Sequence, residues 1–375
     1  MKKLALVLGS LLVVGSVASA KEVMPAPMPA PEKVVEYVEK PVIVYRDREV
    51  TPAWRPNGSV EVELRNWGEV EGHKGKDTYW DGKDYWTQLR TTTKINFTEK
   101  QSLKIHTRNK YGLKRANNEL AEAERLELTH TYKFGNLGSS KIDTRLETKF
   151  RHSGSKKFVE VKPVFDFSEY FFKNDYVKAT ALELAPFYRY VWGADKEASD
   201  KYENIYGLYV NAEFDLPWGM TFQAEFDDGI FAYRRINRTD RNIGQDLTAK
   251  YGNVELTLTK EFQLYKSAKN DLRLHLEGVY ETSYSWSKKD VASVEGFGTV
   301  RANGKRERLG GYSAKFDPAI VYNFKATDYV TLFTRVGAEY KNRSKSADSG
   351  SSTNRHGAKH WRWQPYARVG FKATF

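Results

Sequence analysis

The side chains best suited to acid–base or metal chemistry are seven histidines, His73, His106, His130, His152, His275, His356 and His360, and their spacing supports neither. No HExxH pair, EF-hand run or phosphate-cradling glycine loop occurs. Cysteine is absent, which removes thiolate metal sites, disulfides and cysteine nucleophiles together. A Ser–His arrangement assembled across strands, as in outer-membrane phospholipases, is open to any spacing, but His130 between Thr129 and Thr131 reads most simply as a wall residue. The chain is therefore read as no enzyme: no catalytic, cofactor-binding or metal-binding residue is assigned.

What remains is charge at alternate positions. Arg90 and Lys94, Lys104 and Arg108, Arg145, Lys149 and Arg151, then Arg362, Arg368 and Lys372 form one set, and Glu213, Asp215, Glu225 and Asp227 form another. If these rows line a water-filled channel, a basic wall facing an acidic wall sets up a transverse field that orients dipolar solutes and tunes ion preference. A generally wet lumen whose charges pair locally is the plainer reading, of comparable weight.

The elements that position such rows must be strands. Leu89, Thr91, Thr93 and Ile95 oppose Arg90 and Lys94. Leu208, Val210, Ala212 and Phe214 oppose Asn211, Glu213 and Asp215, and Phe371, Val369 and Ala367 oppose Lys372, Gly370 and Arg368. This period of two, with full charges on one face and apolar side chains on the other, makes no sense in a soluble core. It makes sense between lipid and water, where the sheet must close because hydrocarbon satisfies no free strand edge. The expected fold class is all-β, a transmembrane antiparallel β-barrel of about 14 strands.

Short turns are expected at Glu99-Lys100, Gly135 to Ser140, Lys173-Asn174-Asp175, Pro217-Trp218, Ser267 to Asp271 and Ala326 to Asp328. Longer polar loops are expected at Gly68 to Asp84, Gly112 to Leu120, Ser153 to Lys157, Gly193 to Tyr202, Arg235 to Gly244, Lys288 to Arg308 and Lys341 to Lys359. Gly252-Asn253 resembles a hairpin turn, but a turn there would put the longest loops on the periplasmic side, so Gln245 to Leu264 is read as one strand. Tyr188, Tyr190, Trp192, Tyr284, Trp286, Trp361 and Trp363 gather near strand ends by the long loops, and Trp218 lies in a short turn, as interfacial girdles require.

Composition agrees. The 375 residues are 14% aromatic and 29% charged, and the mean hydropathy of -0.65 leaves no helical span beyond a leader. The 23 Tyr, 20 Phe and 9 Trp exclude a disordered chain. The net charge of +12 is interleaved with acids rather than gathered on one face, which argues against nucleic acid as a partner.

Lys2 and Lys3, the apolar run Leu4 to Val14 and Ala18-Ser19-Ala20 have the pattern of a signal peptide over residues 1–20. Residues 21–57 follow as a periplasmic spacer with Pro25, Pro27, Pro29 and Pro31, suited to polyproline II. Within it, Val34, Val35 and Val38 fit a short helix or a strand. Residues 58–375 are the expected barrel. Val369, Phe371 and the terminal Phe375 are the expected C-terminal signal for the outer-membrane barrel assembly machinery. Lys288, Lys289, Arg301, Lys305, Arg306 and Arg308 in one outer loop, with Arg343, Lys345, Arg355 and Lys359 in the next, are candidate contacts to lipopolysaccharide phosphates, though ordinary solvated loops explain them more simply.

The leader MKKLALVLGSLLVVGSVASA, the spacer KEVMPAPMPAPEKVVEYVEKPVIVYRDREV and the opening NGSVEVELRNW resemble the major outer-membrane porins of fusobacteria. The resemblance implies a voltage-sensitive general diffusion porin of the bacterial outer membrane, a homotrimer, and an abundant surface protein whose outer loops take part in adhesion. It brings no catalytic motif and no cofactor.

Overall fold

The computed structural model describes residues 33–38, 42–47, 54–72, 84–112, 124–154, 156–193, 201–235, 246–287, 291–294, 298–300, 308–342 and 361–375. The expected signal peptide, prolines 25–31 and most of the long loops lie outside these. Residues 1–54 and 55–375 form two separate units. In the first, β1 (Lys33–Val38) pairs antiparallel with β2 (Val42–Asp47), so the valine-rich segment is a strand and not a helix.

The second unit continues with β3 (Asn57–Trp67), β4 (Trp86–Asn96), β5 (Gln101–Gly112), β6 (Arg125–Asn136), β7 (Asp143–Ser153), β8 (Lys156–Asp166), β9 (Lys178–Gly193), β10 (Lys201–Leu216), β11 (Met220–Arg235), β12 (Asp246–Lys266), β13 (Asn270–Ser287), β14 (Val291–Val294), β15 (Gly298–Val300), β16 (Arg308–Lys325), β17 (Val330–Asn342) and β18 (Trp361–Thr374). β14 and β15 pair only with each other, while the other fourteen form one closed antiparallel barrel. β18 closes it on β3, from Tyr366↔Trp67 to Thr374↔Ser59, and the terminal residue adds Gly58 N–H to Phe375 O at 2.9 Å and Phe375 N–H to Gly58 O at 3.1 Å. β12 runs unbroken through Gly252 and Asn253.

Side-chain chemistry fixes the tight turns. Thr98 Oγ1 accepts the N–H groups of Lys100 and Gln101, Ser267 Oγ that of Asn270, and Thr327 Oγ1 those of Tyr329 and Val330, local bonds that compete with further strand pairing. Two connections differ from expectation. The expected turn at Lys173-Asn174-Asp175 is present, closed by the Lys173–Lys178 bridge, but the β8–β9 link that holds it runs over residues 167–177, with a 3-10 turn at Ser168–Tyr170. Asp166 Oδ1 accepts from Ser168 and Leu182, and Asn174 Oδ1 from Tyr176 and Val177, folding the extra length on itself. Conversely, the expected long loop Ser153 to Lys157 shrinks to residues 154 and 155, because the strands pair as far as Ser153↔Lys156 and Gly154 adopts the left-handed conformation, φ 55°.

The pleat sorts the faces. Leu64, Val159, Val161, Leu184, Leu208, Phe226, Leu258, Phe316, Ile320, Leu332, Val336 and Val369 are all exposed, and the register puts them all on one face of the closed sheet. Aromatics band that face. Tyr188, Tyr206, Tyr280 and Trp363 lie roughly ten residues above the short-turn end, and Tyr132, Phe134 and Tyr322 within about four of it, bracketing a belt of roughly 20 Å. An exposed apolar belt on a seamless sheet is stable only in lipid. The architecture is that of a bacterial outer-membrane barrel.

Candidate functional site

The opposite face carries the charge. Register partners Lys372↔Glu61, Arg368↔Arg65, Glu63↔Arg90 and Arg90↔Arg108 share one side, and the same alternation continues through Glu127↔Arg151, Lys149↔Glu160, Glu160↔Arg189, Tyr209↔Asp227, Glu225↔Glu255 and Glu281↔Ser313. That side is concave. Lys162 on β8 sits 4.4 Å over the Tyr209 ring on β10, and Arg145 on β7 reaches Glu183 on β9 at 2.8 Å, each spanning an intervening strand. All ten basic and four acidic residues singled out in the sequence fall on this face by register, as does none of Val369, Phe371 and Leu332, which point to the belt.

The face divides into arcs. Over β6 to β9 every base named above has an acid beside it. Arg151 Nε donates to Glu127 at 2.8 Å, Arg145 Nε to Glu147 at 2.9 Å, and Lys162 lies 3.1 Å from Glu147. Glu160, only 3% exposed, accepts from Arg189 Nε at 2.7 Å and has Lys149 at 3.8 Å. Here the expected basic wall at Arg145, Lys149 and Arg151 is neutralised locally. The two-residue alternation Arg145, Glu147, Lys149, Arg151 puts Glu147 on the polar face. It leaves out Glu127, Glu160, Glu183, Lys162 and Arg189, whose proximity depends on register between strands.

From β17 to β6 the pattern changes. Arg335, Arg368 and Arg65 are successive register partners, and so are Arg90, Arg108 and Arg125. Arg65 pairs with Glu63, and Arg335 with Asp317 at 2.9 Å. The Nε atoms of Arg90, Arg108 and Arg368 are buried without a hydrogen-bond partner. Lys94 and Lys104 are partners in the same sense, and Arg362 Nη1 donates to Trp361 O at 2.8 Å.

A buried clasp anchors this arc. Tyr366 on β18 crosses β17 to donate to Asp317 on β16 at 2.6 Å and accepts from Arg335 Nε at 2.8 Å, with Asp317 fully buried. The crossing needs Gly337, where a Cβ would lie 2.8 Å from the Tyr366 hydroxyl and 2.6 Å from Pro318 O. Trp67 stacks on Trp86 at 3.6 Å and extends the packing beside Tyr366.

The acidic arc lies across the ring. Glu225, Glu255 and Glu281 are consecutive register partners on β11, β12 and β13, and Tyr209 donates to Glu225 at 2.5 Å. Gln223 Nε2 bridges Glu225 at 3.2 Å and Asn211 at 3.0 Å. Glu213 and Asp215 line a small cleft of mixed polarity with Phe214, Phe222, Gln223 and four threonines, Thr180, Thr221, Thr257 and Thr259. In the strand order β12 is third and β5 tenth of fourteen, seven places apart and hence diametrically opposed. Among the described residues no group of three His, Asp or Glu is arranged to hold a metal ion.

No family model matches this chain, and no curated protein matches it. Solved structures that resemble it include the outer membrane channel DcaP of Acinetobacter baumannii, with 12% identity over 86% of this chain and 96% of that one at a TM-score of 0.37. Salmonella typhi OmpF in complex with daunomycin gives 10% identity over 85% and 97% at 0.33, and a bacterial polysaccharide outer membrane secretin 10% over 85% and 98% at 0.32. The closed sheet itself fixes the architecture.

Proposed function

We propose that this chain is a general diffusion porin, a water-filled channel for ions and small hydrophilic solutes across the bacterial outer membrane, of the fusobacterial major outer-membrane type. One observation carries the reading: a charged inner face runs round a ring of fourteen strands. Strands about 4.8 Å apart and tilted about 40° give such a ring a backbone radius of roughly 14 Å. Side chains of ordinary length do not fill that width, and unfilled charged space holds water. The arginine arc and the acidic arc opposite it support a transverse field that biases permeation. Reconstitution into planar bilayers tests the channel. Discrete conductance steps are expected, and silence from a correctly folded barrel rejects the reading.

Display at the surface is a second role compatible with the first. β9 to β13 and β16 run for 16 to 21 residues, against the roughly 9–11 a membrane crossing needs, so this half of the wall supports a platform standing above the lipid. Homotrimer formation and adhesion belong to the same proposal. Crosslinking of the folded protein in outer membranes tests the first, and binding of partner cells to strains carrying the outer loops deleted tests the second.

A further inference from the structure

The inner wall holds Arg90, Arg108 and Arg125 in register with no acid between them, and Glu63, the other register partner of Arg90, bonds Arg65 instead; this needs an explanation that the porin reading alone does not supply. Arg90 on β4 and Arg108 on β5 are directly opposite one another, and Arg125 on β6 continues the row. Partner residues in an antiparallel pair have Cβ atoms about 5 Å apart, so the guanidinium groups of Arg90 and Arg108 are held within reach of a single small ligand. Like charges so placed repel each other. Arg368 on β18 adds to that repulsion, since its charge acts on Arg65 and on Arg90. Yet Arg90, Arg108 and Arg368 each keep a buried Nε without a hydrogen-bond partner. In the neighbouring arc the same chain meets such arginines with carboxylates, as Glu127 does for Arg151 and Glu160 for Arg189.

The geometry points to a binding site for a small polyvalent oxyanion of the phosphate class, formed by Arg90 and Arg108 and flanked by Arg125 and Arg368. This rests on the channel reading, because the site faces the lumen. A guanidinium offers its N–H donors as a planar fork that matches the oxygens of a tetrahedral oxyanion. Two such forks on adjacent strands reach different oxygens of one anion. A dianion also relieves the mutual repulsion of the row, which a monovalent ion does only in part. The ligand class is therefore inorganic phosphate and small phosphate monoesters in free solution. The acidic arc across the ring repels the same anions and leaves their path along the arginine side.

The experiment uses the full barrel in planar bilayers, with potassium chloride as carrier and inorganic phosphate at pH 7.5 as the probe. Phosphate is expected to reduce the chloride current in a saturable way. The half-blocking concentration is expected to rise at least tenfold in R90Q/R108Q and to stay within twofold in K149Q, which alters the paired arc. Nitrate at equal ionic strength is the monovalent control. A linear, unsaturated response to phosphate, an equal response to nitrate, or an equal shift in K149Q overturns the site. The single variants R90K and R108K keep the charge but lose the fork, and should weaken the block even if the double variant assembles poorly. Conductance that is normal but indifferent to phosphate rejects this site alone, whereas absence of conductance from folded protein rejects the channel.

Discussion

Two neighbouring arcs of one inner wall use the same side chains to opposite ends. On β6 to β9, Arg145, Lys149, Arg151, Lys162 and Arg189 are interleaved with Glu127, Glu147, Glu160 and Glu183. On β18, β4 and β5, Arg368, Arg90 and Arg108 face other arginines. Strand, pleat and residue type are alike in both, so neither the count of charges nor their alternation tells a structural arc from one available to solutes. The distinction lies in whether a carboxylate bonds the cation: Arg145 is met by Glu147 and Glu183, whereas Glu63, the register partner of Arg90, bonds Arg65 instead. That difference predicts opposite responses to removal of a charge.

The largest effect is expected at Glu160. Its replacement, Glu160→Gln, leaves Arg189 and Lys149 beside a neutral amide in a site only 3% exposed. Breaking one partner out of a buried pair costs about 3 kcal/mol or more, read as a lower midpoint of urea unfolding in lipid vesicles. A midpoint within error of the parent would mean that water in the lumen screens this arc as fully as open solvent does, and the comparison would fail.

Gly337→Val comes next and acts on packing instead of charge. Its side chain would meet Pro318 O, the Ala319 Cβ and the Tyr366 hydroxyl within 2.8 Å, which breaks the clasp to Asp317 or shifts β17. Overpacking of this kind costs about 1–3 kcal/mol. Tyr366→Phe separates the two explanations, because it keeps the ring over Gly337 and removes only the bonds to Asp317 and Arg335.

Arg108→Gln, on the unpaired arc, is expected to change stability by less than about 0.5 kcal/mol, and toward stabilisation, since it removes a like-charge contact. Its effect should instead appear in permeation. Reversing the charge at both Arg90 and Arg108 should move the reversal potential under a salt gradient toward cation preference. Unchanged selectivity would take the arginine row out of the conduction path.

The side of the wall on which each charge falls was legible in the sequence, and its partner was not. Alternation around Arg90, Lys104, Glu213 and Glu225 shows a face because the pleat has a period of two. That Glu160 meets Arg189, or that Glu255 stands between Glu225 and Glu281, depends on register, which a strand read by itself does not encode. Alternation puts Arg65 and Arg335 on the polar faces of their strands, but their alignment with Arg368, and that of Arg125 with Arg108, depends on register in the same way. The strand count was recoverable because turns such as Thr98 to Gln101 and Thr327 to Val330 carry their own hydroxyl acceptors. The hairpin at Gly154 looked like a loop because its polar flanks, Ser153, Lys156 and Lys157, are paired strand residues. Between β8 and β9 the turn at Lys173-Asn174-Asp175 was legible, but nothing in the composition of residues 167–172 announced that Asp166 would fold them back.

The smallest effect is expected outside the lipid, where the same ion pairs stand in open water. In the turn after β16, Lys325 lies 2.8 Å from Asp328, and in the turn after β8, Lys173 pairs with Glu169. Bonding to Lys325 lowers the Asp328 carboxyl below its ordinary value, and bonding to Lys173 does the same for Glu169. A depressed carboxylate contributes its stabilisation above the unfolded-state value, near 4 for these side chains, and loses it as pH falls through the lower folded value. Asp328 and Glu169 therefore act fully at neutral pH and fade only in the acid range below about 4. Both are exposed, and water and salt screen such pairs almost completely. Asp328→Asn should leave the unfolding midpoint unchanged at pH 7 and at pH 3, while Glu160→Gln lowers it at pH 7. If Asp328→Asn were as damaging as Glu160→Gln, pairing itself would be what stabilises the barrel, and burial within the wall would have no special part in it.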